Sequence, residues 1–384
     1  MRSELDGRDF NNKTYPPTYT IMRTRVNVGK SIFDNISFFV QLQDSRVWGQ
    51  TANPTKSIAN IDLHQGYINI SNIFGEPLNV LAGRFELAYG NGRILGASPW
   101  NYVSRAWDGF KISFEKKMYS ADLFSLTNTA LTDPDKFPYL SKPDTSYNIY
   151  GFHAAFNPDE SNKIFFLCIY DNNNKKTDGI NNDAGLWTAN LNYDLNSGKF
   201  YAGLEGAYQA GRLYLNGKNK EASSYLGAIK FQYLLNPLIV SLEGDVVSGT
   251  KSGDTVNNNT FYRPYGTTHQ FYGYMDYFQG DLTKSTNNLG LNDLNLKFKY
   301  TPKSGKFNAE LQGWYFITNQ KSKSDNNSLG EEIDMVLRYN FLENALIEWG
   351  GSVFFPGEVM KEIYSAQKFR DASFWSYVRL DVKF

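Results

Sequence analysis

The sequence predicts an all-β protein, a transmembrane antiparallel up-and-down β-barrel of about eighteen strands. Three observations lead there. Apolar and polar residues alternate with a period of two, as in Trp187, Ala189, Leu191 and Tyr193 set against Thr188, Asn190 and Asn192. Side chains at i and i+2 share one face of a strand, so each such segment has one apolar and one polar face. The connections between segments alternate short and long. Aromatic residues, 16% of the 384, crowd segment ends at Trp48, Trp100, Tyr102, Trp107, Tyr147, Tyr233, Tyr300 and Phe307, where the interfacial girdles of a membrane barrel lie.

In chain order the expected strands fall near 1–9, 18–29, 35–47, 57–72, 78–88, 105–116, 119–129, 146–157, 162–172, 184–195, 199–213, 221–235, 238–248, 289–301, 305–318, 330–341, 344–354 and 372–384. The third shows the pattern well, with Ile36, Phe38, Val40 and Leu42 alternating with Ser37, Gln41 and Gln43; Phe39 breaks it. Strands 4, 7 and 9 present two ambiguous faces. Connections after even-numbered strands are tight, for example Lys117-Met118, Asn196 to Gly198, Asn236-Pro237 and Leu342-Glu343. Those after odd-numbered strands are long: 50–56, 89–104, 130–145, 248–289 and 355–371. Short periplasmic turns and long extracellular loops are the pattern of an outer-membrane barrel. A β-sandwich also alternates, but it gathers its aromatics inside instead of at strand ends. In lipid the sheet must close so that every backbone group is paired, and Phe384 suits a last strand ending at the inner interface. Residues 1–384 are expected to form a single barrel domain, with 249–288 a long extracellular loop folding toward the pore.

Composition removes other classes. Lys+Arg and Asp+Glu are both 39, without the basic excess of a nucleic-acid binder. No apolar run approaches the roughly 18 residues of a membrane helix. Cys168 is alone, so no internal disulfide forms, and three histidines leave little for a metal centre. His269 is not expected to bind metal, and His64 and His153 read as wall residues. No Gly-x-Ser-x-Gly is present and no Ser-His-carboxylate set emerges, so no catalytic residue, metal or cofactor is expected. The opening Met1 to Asp6 is polar; for a protein of the bacterial outer membrane the leader is expected to have been removed already.

If apolar positions face lipid, their neighbours line the pore. Met22, Val26, Phe85 and Leu87 then face outward, and Arg23, Arg25, Arg84, Glu86, Lys111, Arg338 and Arg379 face inward. Early strands place Arg23, Arg25, Arg84, Arg93 and Arg105 on one wall. Guanidinium groups stay charged and bind carboxylates bidentately, which suits anionic solutes. The other reading is that these charges pair across strands to brace the wall, as Glu86 beside Arg84 suggests. Both stay open. The stretch Tyr262 to Phe278 is too aromatic for a solvated loop and should pack in the channel mouth, bringing Arg263, His269 and Asp276 near the constriction.

Several stretches resemble the alginate export family of outer-membrane barrels: Gly83 to Gly96, Pro99-Trp-Asn101, Arg105 to Phe110, Thr268 to Phe278 and Asp371 to Phe384, and also Arg23 to Asn27 and Gln41 to Arg46. The resemblance implies eighteen strands and a porin-like channel for passive diffusion or export of hydrophilic, anionic or saccharide-like solutes. In the family's alginate exporter an arginine-lined pore serves a polyuronate. The implied partners are outer-membrane lipid and a small solute, with no nucleic acid. The alternative is a docking barrel, plugged, that anchors or sheathes a secreted or periplasmic partner.

Overall fold

Alternation along the chain becomes a closed sheet in the computed structural model, which describes every residue except 12, 51–59, 130–146, 175, 178–179, 182–183, 216, 281 and 365–368. Eighteen strands build it: β1 (Arg2–Gly7), β2 (Thr18–Phe33), β3 (Ile36–Val47), β4 (Ile61–Ile70), β5 (Leu78–Phe85), β6 (Trp107–Glu115), β7 (Tyr119–Thr129), β8 (Tyr147–Phe156), β9 (Asn162–Asn173), β10 (Ala184–Ser197), β11 (Phe200–Leu215), β12 (Lys218–Leu234), β13 (Leu238–Val247), β14 (Leu291–Tyr300), β15 (Phe307–Ile317), β16 (Ser328–Leu342), β17 (Ala345–Pro356) and β18 (Ser373–Val382). Each pairs antiparallel with its chain neighbours, and β1 closes the ring on β18 from Arg2↔Arg379 to Gly7↔Phe374. Closure leaves no edge, so every ladder position finds a backbone partner inside the bilayer. The expected positions 57–59 of strand 4, the loop 51–56 and the loop 130–145 lie outside the described residues.

The outer face is the expected one at mid-height: Trp187, Leu191, Tyr208, Leu242 and Leu294 are exposed, as are Tyr233, Tyr300 and Phe307 at the periplasmic ends. Three of the expected girdle aromatics are not on it. Trp107 is buried and meets Tyr265 edge-on at 5.4 Å, the Tyr147 hydroxyl bonds that of Tyr265 at 2.6 Å, and Trp100 stacks on His269 within the barrel. The cause is that the connections 86–106 and 248–290 fold inward instead of standing in solvent. Their Leu87, Leu95, Phe261, Tyr272, Met275 and Phe278 form a buried cluster with Phe10, Phe316 and Phe354.

That inner cluster requires apolar residues on the inward face of the extracellular half of the wall. Leu126, Ile149, Leu167, Ile169, Leu226, Val247 and Leu291 supply them. Strands β7 and β9 are therefore apolar on both faces, with Leu123 and Phe166 outward, which is why their faces are ambiguous in the sequence. On β4 the cause differs. Gln41 pairs with Gln65 but Leu42 pairs with Leu63, a bulge that leaves His64 unopposed and shifts the side-chain phase. Phe39, the residue that breaks the pattern of β3, stacks on Tyr67 at 5.3 Å.

Among the described residues helix is confined to short loop pieces, α1 (Leu282–Ser285), α2 (Glu358–Ile363) and a 3-10 turn at Ile73–Gly75. None is long and apolar enough to cross a membrane.

Candidate functional site: the constricted lumen

The loop 86–106 is fastened by Arg93, 6% exposed. Its Nε donates to Glu205 on β11 at 2.8 Å, its two terminal nitrogens donate to Asp245 on β13, and Nη1 also donates to the Tyr272 hydroxyl at 3.0 Å. Glu205 accepts further from Asn91 and Asn190 at 2.7 and 2.9 Å. Burial alone would lower the Arg93 pKa, yet Asp245, Tyr272 and Glu205 hold it above its ordinary value. One side chain thus ties two strands and both inserted loops together.

Arg105 joins the loops to each other. It donates to the carbonyls of Gly96 at 2.7 Å, Pro264 at 3.2 Å and Tyr265, and burial without a carboxylate partner lowers its pKa to about 10. Arg263 lies between the loops, 3% exposed, with its guanidinium 5.0 Å from the Tyr272 ring. The contact is close enough that a Cβ at Gly96 would collide with the Thr267 hydroxyl. Gly273, at φ 82°, faces the wall the same way: a Cβ there would stand 2.5 Å from Glu332 Oε1. That oxygen accepts the Met275 N–H at 2.8 Å.

The arginines expected to form one lumen wall therefore separate. Arg23 and Arg25 point inward. Arg23 donates to the carbonyls of Pro99 and Asn101 and to the Ser104 hydroxyl, holding the inserted loop. Arg25, His64 and Glu86 meet, with Arg25–Glu86 at 3.2 Å and His64–Glu86 at 2.7 Å. Arg93 and Arg105 are buried between loop and wall. Arg84 turns the other way, pairing with Asp108 at 2.8 Å on the face shared by the exposed Phe110 and Ile112. The expectation that Arg84 faces the pore with Phe85 and Leu87 toward lipid is corrected: Phe85 and Leu87 are 2% and 6% exposed inside the barrel. An outward arginine costs only about 0–1 kcal/mol near an interface, against 2–4 at the midplane, and Arg84 stands next to the extracellular end of β5.

Glu86 offers a pH test. Burial pushes its carboxyl up, but the His64 hydrogen bond and the Arg25 charge outweigh this and hold it below its ordinary value. A depressed carboxyl contributes stability above its unfolded pKa and loses it as pH falls through the folded one. Acidification below about pH 4 should loosen this fastening of loop 86–106 and raise open-channel current noise. Glu86→Gln should be noisy already at neutral pH, with no step on acidification.

Two cavities in the lumen border these loops. One, of about 160 Å³, is lined by Trp100, His269, Tyr274, Lys299, Glu310, Arg338, Glu348, Tyr377 and Arg379. Glu348 is 2% exposed, accepts Arg338 Nε at 2.7 Å and the Tyr377 hydroxyl at 2.8 Å, and lies 3.2 Å from Arg379. The other, about 340 Å³, includes Arg93, Asp194, Glu205, Lys230, Glu243, Asp245 and Lys297 with the same His269 and Tyr274. Lys111 lies on the wall opposite Asp122, 3.7 Å away. Asp276 holds His269 Nδ1 at 3.1 Å and borders a third, extracellular cavity of about 640 Å³ that contains Arg8 and Tyr15. Trp100 is the lining residue that periodicity missed, because it sits in a loop; the motif Pro99-Trp-Asn101 was the one signal of it. Among the described residues no group of three or more His, Cys, Asp or Glu is placed to hold a metal ion.

A closed eighteen-stranded antiparallel barrel with loops folded into a charged lumen defines a channel of the bacterial outer membrane for hydrophilic solutes, and the comparisons with known proteins agree. The family described as alginate export matches residues 8–370, and the chain belongs to it. The fold is similar to that of OpdO from Pseudomonas aeruginosa, with TM-score 0.63 and 11% identity over 99% of this chain and 94% of that one. It is similar also to OccAB4 from Acinetobacter baumannii, with TM-score 0.63 and 10% identity over 99% and 95%. OccK8 (OprE) from Pseudomonas aeruginosa gives TM-score 0.63 and 10% identity over 100% and 96%. No curated protein sequence matches the chain.

Proposed function

We propose that the channel passes small anionic solutes, saccharide acids among them, and selects them in the cavity beside β14–β18. The observation that carries this reading is the charge balance there. Lys299, Arg338 and Arg379 face Glu310 and Glu348, and Glu348 is shared by the two arginines. Glu310 is engaged by the Tyr274 hydroxyl at 2.8 Å and by Lys297 at 3.8 Å. Lys299 has no ion-pair partner among the described residues. Guanidinium forks suit carboxylates, the rings of Trp100, Tyr274 and Tyr377 offer apolar faces for a sugar ring, and narrow low-dielectric walls concentrate the field of one uncompensated cation.

Planar-bilayer reversal potentials test it. At low salt the wild type should prefer anions, and Lys299→Glu should move the potential toward cations, an effect that shrinks near 1 M salt as the Debye length falls to about 3 Å. An unchanged potential in Lys299→Glu, or cation preference in the wild type, would overturn the anionic reading. A folded barrel without conductance would favour the docking barrel instead.

A further inference from the structure

A row of stacked groups runs through the lumen as a chord from β1 to β15, strands that stand four steps apart around the ring. On β1, Arg2 Nε donates to Glu4 at 2.6 Å, and its Nη1 donates to the Trp100 carbonyl at 2.8 Å. The same guanidinium lies 3.9 Å from the centre of the Trp100 ring. His269 stacks on Trp100 with centroids 3.8 Å and planes 10° apart, and Tyr274 follows at 4.7 Å and 21°. The Tyr274 hydroxyl then donates to Glu310 on β15 at 2.8 Å. The row runs from wall to wall: Arg2 comes from a strand, Trp100 from one inserted loop, His269 and Tyr274 from the other.

Both ends and the middle are braced. Trp375 and Tyr377 meet Trp100 edge-on at 5.9 and 5.0 Å. Asp276 holds the His269 ring at 3.1 Å and lies 4.0 Å from Arg8, itself paired with Asp6 at 2.6 Å. The backbone is left-handed at His269, Tyr272 and Asp276, with φ of 58°, 63° and 60°. Side-chain-bearing residues hold that conformation only where their surroundings fix it. Simple burial of an aromatic loop does not call for a histidine with its two faces covered by rings.

His269 and Tyr274 line both lumen cavities, so the row is the partition between them. The geometry points to a crossbar: Arg2, Trp100, His269 and Tyr274 are the size-determining residues of this channel, splitting the lumen into two narrow passages so that a solute must fit one of them. This rests on the channel reading above but concerns width, whereas the anionic preference concerns charge.

Liposome swelling with neutral sugars, from a pentose to a tetrasaccharide, reads width alone. Trp100→Ala and His269→Ala should admit the tetrasaccharide several-fold faster with little change for the pentose, as expected when pore diameter sets selectivity. Trp100→Phe, which keeps a ring in the row, should retain the wild-type cut-off. A heat-modifiable gel band reports that each variant is folded. If removing Trp100 prevents folding, His269→Ala carries the test, because its ring belongs to a loop and meets the wall only edge-on, at Trp375 5.3 Å away. Folded His269→Ala with the wild-type cut-off overturns the crossbar. That result leaves anion preference untouched, and a cation-preferring channel with a widened cut-off in His269→Ala would refute the anionic reading while upholding the crossbar.

Discussion

Arg93→Leu should destabilise the folded barrel by about 3–5 kcal/mol, the cost of removing one partner from a buried ion pair. The size follows from what is left behind. Glu205 and Asp245 are 8% and 7% exposed, and Asp293 stands directly across from Asp245 in the ladder with neither carboxylate oxygen hydrogen-bonded. Without the guanidinium, three buried carboxyl groups stand together, and like charges at that range cannot all ionise. Leucine adds no donor, and the Tyr272 hydroxyl loses its donor as well. The urea midpoint in detergent, followed by loss of the heat-modifiable band, measures the change. Adding Asp245→Asn should return part of the loss, because it removes a charge that Arg93 no longer neutralises. A destabilisation under 1 kcal/mol in the single variant would mean that water reaches the carboxylates and the pair is not buried in solution.

The same residue shows where reading the sequence stops. The eighteen strands and their loop parity are legible because lipid outside and water inside impose opposite demands on alternate residues, and β10, β13 and β14 obey this until Leu186, Val247 and Leu291 at their extracellular ends. The rule that apolar means outward holds only while the lumen is wet. Wherever loops 86–106 and 248–290 fill the barrel, the inside is a protein core, and Phe85, Leu87, Trp107, Leu126 and Ile169 are apolar for that reason. The same inference misplaces Arg84, because it assigns Phe85 and Leu87 to lipid. Nor does local sequence reveal that Arg93 and Arg105 are fasteners: their partners Glu205, Asp245 and Tyr265 lie more than a hundred residues away. His269 and Asp276 were legible together because both belong to one stretch too aromatic to stay in water. Lys299 is legible as an inward charge from its alternation with Leu294, Leu296, Phe298 and Tyr300, but its lack of a partner depends on what Glu310 and Glu348 do across three strands.

Replacing residues 262–278 by a short Gly/Ser linker should leave the barrel folded and raise single-channel conductance several-fold, since pore radius governs conduction. Every ladder pair from β1 to β18 lies outside the removed stretch, so the closed sheet that satisfies the backbone in lipid is unaffected. The buried carboxyls behave differently here than in Arg93→Leu. Glu332 and Asp334 are each 1% exposed beneath this loop, with three of their four carboxylate oxygens unpartnered. Removing the loop exposes them to lumen water, which can hydrate them, whereas Arg93→Leu leaves its carboxylates covered and unpaired. The excision of seventeen residues should therefore cost the barrel less than the single substitution, although Phe261, Phe316 and Phe354 lose apolar neighbours such as Phe278. Conductance and the urea midpoint measured on both variants decide the matter. An unfolded excision variant, or one that conducts like the wild type, would mean that the inserted loop is part of the barrel's structural core and that the constriction is set elsewhere in the lumen.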